Sequence, residues 1–95
     1  MAVWPISITK DEMGYCVFTP GDLPIDGGEE VIWTNEDLTE DVHRVTFETG
    51  EEPCGLLPYK EKCSIFPSGR PGTVIDYNCG IAGHQSRPAK ITIKK

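Results

Sequence analysis

Histidine and methionine are both scarce in this 95-residue chain, with two of each, and the methionines stand only at positions 1 and 13. No run approaches the ~20 apolar residues of a membrane span. Basic residues are few as well: nine Lys and Arg against fifteen Asp and Glu leave a net charge of −6. That balance argues against nucleic acid and anionic membrane surfaces, and is compatible with a basic protein partner. There is no HExxH, no glycine loop that could cradle phosphate, and no hydroxyl nucleophile beside a base and an acid, so the expectation is that the protein is not an enzyme. A Cys79/His84 thiol-protease pair finds no support either, because such partners come from distant segments. No charged–apolar–small leader opens the chain; an export signal is expected to have been removed, with Met1 an added start.

Ten glycines and eight prolines punctuate short β-branched and aromatic runs. This is the pattern of a small all-β protein, a Greek-key sandwich or barrel of about seven strands. Alternation places strands over 3–10, 15–19, 30–34, 42–48, 62–66, 73–79 and 90–94. Residues 19–22 and 26–28 read as turns, 35–41 as an acidic loop, and 49–60 as a long connection of the kind that changes sheets. At this length residues 1–95 are one domain with a modest core, expected to be monomeric. No repeat or low-complexity segment interrupts it.

The stretch that carries chemistry is Cys79-Gly80-Ile81-Ala82-Gly83-His84, in which a thiol and an imidazole bracket a four-residue loop with two glycines. Such a loop can return the imidazole to ligand distance of the sulfur. Thiolate plus imidazole suits copper or zinc. The other histidine, His43, alternates with Val45 and Phe47 and so shares their apolar face. A histidine there is usually a buried core residue with a hydrogen-bond partner; the alternative is a metal ligand. Ile75, Tyr77 and Cys79 share a face in the same way, so both candidate ligand strands aim apolar residues and donor to one side. A His43–Cys79–His84 meeting would form the trigonal His2Cys arrangement of blue-copper electron transfer.

Phe18-Thr19-Pro20, Ile25 to Asp37, Val42-His43-Arg44-Val45, Pro71-Gly72-Thr73, Tyr77 and Cys79 stand in an order and spacing that resembles the cupredoxins, along nearly the whole chain. The Cys-to-His spacing is similar to that of azurin-like and phytocyanin-like members. The resemblance implies a β-sandwich, copper held by His43, Cys79 and His84, one-electron transfer to a protein partner, and a periplasmic or otherwise extracytoplasmic location. It also implies an electron port where the second histidine meets the surface, here among Ile81, Ala82, Gly83 and Pro88. The chain departs from the family at two points. The axial methionine's place falls to Arg87, which cannot ligate; its expected role is instead to tune the potential or bind a small anion. Arg44 replaces the asparagine that braces the ligand loops in many members. The axial position is thereby left to Gln85, to Glu40 or Asp41, to water, or to nothing. Copper delivery or sensing through an open, exchangeable site is the alternative function.

Three other cysteines remain. Cys54–Cys63 is the simplest disulfide, Cys16–Cys63 the alternative, and Cys16 reads as a small buried hydrophobe. Two metal-free or differently metallated readings compete. An immunoglobulin-like binding domain would pair Cys16 with Cys79 around Trp33 and Tyr77. A structural zinc site would recruit Cys54, Cys63, Cys79 and His84, though no paired C-x-x-C spacing is present.

Overall fold

The computed structural model describes residues 2–95, and the alternating runs become nine strands. These are β1 Val3–Lys10, β2 Cys16–Thr19, β3 Asp22–Ile25, β4 Glu30–Asn35, β5 His43–Phe47, β6 Leu56–Leu57, β7 Lys62–Ile65, β8 Val74–Cys79 and β9 Ala89–Ile93. They build two facing sheets, ordered β2-β1-β4-β7 and β3-β9-β8-β5-β6. The pairs β1·β4 and β3·β9 are parallel and the other pairings antiparallel. The expected all-β sandwich is therefore observed, and each of the seven expected strands is present within a residue or two of its anticipated ends.

The two additional strands, β3 and β6, carry weak local signals for physical reasons. Residues 19–22 read as a turn closing β2. In the structure the chain instead leaves one sheet at Thr19 and joins the other at Asp22. Pro24 argues against a strand interior, but β3 is an outer strand, where proline is tolerated. Its alternation is regular: Leu23 and Ile25 are buried, Asp22 and Pro24 exposed. At the opposite edge, β6 has two residues, too short to show any period, and pairs with His43 and Arg44.

Between the sheets lie Ile6, Ile8, Val31, Trp33, Val45, Ile91 and Ile93, each essentially inaccessible to solvent. Tyr77 of β8 meets Phe18 of β2 and Trp33 of β4 edge-on, with ring centroids 4.8 and 5.5 Å apart. Such pairs add roughly 0.5–1.5 kcal/mol each beyond area burial, and these two tie one sheet to the other. Burial pushes the Tyr77 phenol up to about 12. The disulfide joins Cys54 to Cys63, fastening the long connection to β7; the Cys16–Cys63 alternative is excluded. Closing a loop this short contributes about 2–3 kcal/mol on the chain-entropy model.

One register decides where the chemistry sits. β5 and β8 pair with Val45 opposite Cys79. His43 therefore lies two residues beyond that pairing, at the same end of the sheet as the last residue of β8.

Candidate metal centre

Cys79 is 5% exposed and not disulfide-bonded. Beyond it the chain passes close against β5, and Gly80 makes this possible: a Cβ there would collide with Thr46 Oγ1 and lie 3.0 Å from Thr46 Cβ. The Gly80 N–H donates to the Arg44 carbonyl at 2.9 Å, the His84 N–H to the Ile81 carbonyl at 3.0 Å, and the Cys79 N–H to Ser86 Oγ at 2.8 Å. The Gly80-to-Arg44 bond joins the segments that carry Cys79 and His43. The loop thus returns His84 to the sulfur, with Nδ1 3.5 Å from Cys79 Sγ. His43 Nδ1 is likewise 3.5 Å from that sulfur, and the two imidazole centroids are 5.2 Å apart. All three residues singled out in the sequence are brought together.

His43 is fully buried, with the hydrogen-bond partner that a core histidine is expected to have. Its Nε2 lies 2.8 Å from Asp37 Oδ2. A carboxylate only accepts, so Nε2 carries a hydrogen and Nδ1 is the ring nitrogen that faces the sulfur. Asp37 is 2% exposed. Its Oδ1 accepts the Thr39 N–H at 2.9 Å and the Thr39 hydroxyl at 2.8 Å, and Lys10 Nζ stands 4.0 Å from Oδ2. Asn35 folds this segment inward. Its amide donates to the Asp41 and Leu57 carbonyls, both at 2.8 Å, and its Oδ1 accepts the Asp37 N–H at 3.0 Å. The acidic loop anticipated over residues 35–41 is thereby pinned to the core at its first turn.

The charge states follow from these contacts. Burial raises the Asp37 carboxyl, but hydrogen bonds from His43 and Thr39 outweigh it and hold the group below its ordinary value. Burial likewise pushes His43 down, and the contacts with Cys79 and Asp37 reverse this, leaving it raised. Cys79 is lowered, first by a hydrogen bond from Cys16 and then, against burial, by His43 and backbone N–H groups. The same thiol–thiol contact, together with burial, pushes Cys16 up.

Sequence reasoning missed Asp37, Ser86 and the placement of Cys16. Cys16 is buried, as expected, but its sulfur, that of Cys79 and a ring nitrogen of His43 all lie within 4.8 Å of one another. The only signal for it was a cysteine left over once Cys54 and Cys63 are paired. Of the other candidate ligands, Gln85 and Glu40 are exposed, and Asp41 is paired with Lys10. Arg87 turns away to Asp11, Nε to Oδ2 2.7 Å, and lies over the Tyr15 ring at 4.2 Å; it is not the free cation that an anion site would need.

No protein-family model and no curated protein matches the sequence. Among solved structures the chain is similar to a purple cupredoxin from Nitrosopumilus maritimus, with a TM-score of 0.72, 20% identity, and 96% of this chain and 99% of that one covered. This is the cupredoxin fold. An oxidized M98L mutant of amicyanin gives a TM-score of 0.70 at 18% identity, over 94% of this chain and 81% of that one. A copper-containing nitrite reductase from Thermus scotoductus gives 0.70 at 20% identity, over 96% of this chain and 22% of that one. A cupredoxin fold thus occurs both as a small free-standing protein and as part of a larger enzyme. The immunoglobulin-like reading is overturned, since it required a Cys16–Cys79 bridge and both cysteines are free. The zinc site built from Cys54 and Cys63 fails because those two are bonded to each other. The thiolate and two imidazoles that remain fit a soft or borderline ion such as copper.

Proposed function

We propose that the protein is a one-electron carrier whose copper ion is held by His43, Cys79 and His84. The observation that carries this reading is the placement of both imidazole Nδ1 atoms 3.5 Å from one buried sulfur. Copper in such a centre exchanges one electron between Cu(I) and Cu(II), and a β-sandwich resists the ligand movement that would slow that exchange. His43 is oriented by Asp37 and shielded from solvent. His84 is only partly buried and is flanked by exposed Ala82 and Gly83, which supports its end of the molecule as the route for the electron. With a net charge of −6, a basic redox protein is the partner class favoured by steering. The Cys54–Cys63 disulfide supports an oxidising, extracytoplasmic compartment. We read residues 1–95 as one monomeric domain acting as a carrier rather than an enzyme.

Copper delivery is the second reading. It is favoured by the free thiol of Cys16 beside the centre, because soft sulfur donors select Cu(I). Titration of the metal-free protein with copper, followed by optical absorption and EPR, tests the first reading. A one-to-one endpoint with an intense thiolate-to-copper band is expected, and Cys79→Ser should strongly weaken and shift that band. Reversible one-electron voltammetry without copper loss separates a carrier from a delivery protein. The electron-transfer reading fails if Cu(II) gives no such band.

A further inference from the structure

The centre described above leaves one buried thiol unused. Cys16 is 1% exposed and carries no disulfide. A cysteine serving only as a small hydrophobe would face aliphatic side chains; this one faces donors, within 4.8 Å of both Cys79 Sγ and a His43 ring nitrogen. Its position is also built by the backbone. The Cys16 N–H donates to the Gln85 carbonyl at 2.7 Å, and the Arg87 N–H donates to the Cys16 carbonyl at 2.9 Å. The residues just after His84 are therefore laid against the start of β2, with Cys16 opposite Ser86. Ser86 in turn accepts the Cys79 N–H. Cys16, Cys79 and His84 are fastened to one another through this single loop, so the sulfur of Cys16 is held at the centre rather than passing near it.

A trigonal His2Cys copper takes a further donor from methionine sulfur, an amide or a backbone oxygen. Here no methionine lies beyond Met13, Met13 itself is 73% exposed, and the Gln85 side chain is exposed. Cys16 Sγ is the donor that burial and backbone place. We propose that Cys16 supplies a second sulfur to the ion held by His43, Cys79 and His84, making a two-cysteine, two-histidine centre. This rests on the copper reading above. Binding replaces the Cys16 S–H bond with a metal–sulfur bond and releases the proton to solvent; nothing is oxidised or reduced in that step.

Copper K-edge X-ray absorption on the Cu(I)-loaded full chain counts the sulfur neighbours directly. Two per copper are expected in the wild type. One is expected in Cys16→Ala and in Cys16→Ser, with the one-to-one copper endpoint retained and the optical bands of the Cu(II) form shifted. The wild-type count needs no variant to fold, so it decides the matter even if both variants aggregate. A single sulfur in the wild type, bands in Cys16→Ala identical to the wild type, or a Cys16–Cys79 disulfide in the protein as isolated would each overturn the proposal. The two readings fail differently. A normal thiolate band with one sulfur removes Cys16 and leaves the copper centre standing, whereas the absence of any band in the wild type removes the centre itself.

Discussion

Asp37 carries the largest consequence at the scale of single residues. A neutral carbonyl would be enough to orient the His43 ring; a carboxylate adds charge. Held ionised by His43 and Thr39, it would stabilise positive charge on the imidazole side of the proposed copper centre and so favour Cu(II) over Cu(I). Asp37→Asn keeps an oxygen that can accept from Nε2 while removing the charge. The reduction potential of the copper-loaded protein should rise by at least about 60 mV, the equivalent of a tenfold change in relative affinity for the two oxidation states. A potential that stays the same or falls, with the optical spectrum intact, would show that Asp37 only positions the ring. This residue was not legible in the sequence, because an acidic residue in a Thr/Glu/Asp-rich loop looks the same whether it faces water or a histidine.

Among elements, the tightest constraint is the approach of the β8–β9 loop to β5. The Arg44 carbonyl accepts from Gly80, and Thr46 occupies the space into which any Cβ at Gly80 would project. Gly80→Ala must push the loop off β5 or displace Thr46. By analogy with overpacked cores it should cost about 1–3 kcal/mol in urea or thermal unfolding. It should also loosen the Cys79–His84 geometry, broadening the copper spectrum. Stability within a few tenths of a kcal/mol of wild type would mean that the loop has room to spare. The sequence showed two glycines in this loop and implied a turn; which of them was sterically required depended on Thr46, from a strand more than thirty residues upstream. The same holds for β3, whose proline weakens the local strand signal and is harmless only because the strand is at an edge.

On the scale of the whole molecule, residues far apart in the chain close the metal-bearing end. Arg87 reaches Asp11 across 76 positions, fastening the ligand loop to the β1–β2 turn. The Arg87 guanidinium holds the Asp11 carboxyl below its ordinary value, against desolvation and assisted by the Tyr15 and Met13 N–H groups. A folded value below the unfolded one means that this contribution is complete above the unfolded carboxylate value and disappears as pH falls through the folded one. In the metal-free protein, Asp11→Asn should therefore melt below the wild type at neutral pH. The gap should close as pH is lowered through the carboxylate range. A gap that is the same at every pH would assign the effect to the turn's backbone bonds instead of the ion pair. What residue order sufficed to establish was local: the alternation that makes strands, the Cys79–His84 spacing, the shared face of His43 and Val45, and the order of motifs that resembles the cupredoxins. Those signals depend on neighbours within a few positions, where side-chain period and turn chemistry act directly. Sheet order and register settled the rest, since they bring together residues with no local relation. The pairing of Val45 with Cys79 carried His43 to the Cys79 sulfur, the bridge between Cys16 and Ser86 brought a second sulfur beside it, and Asn35 helped set Asp37 against the ring's Nε2.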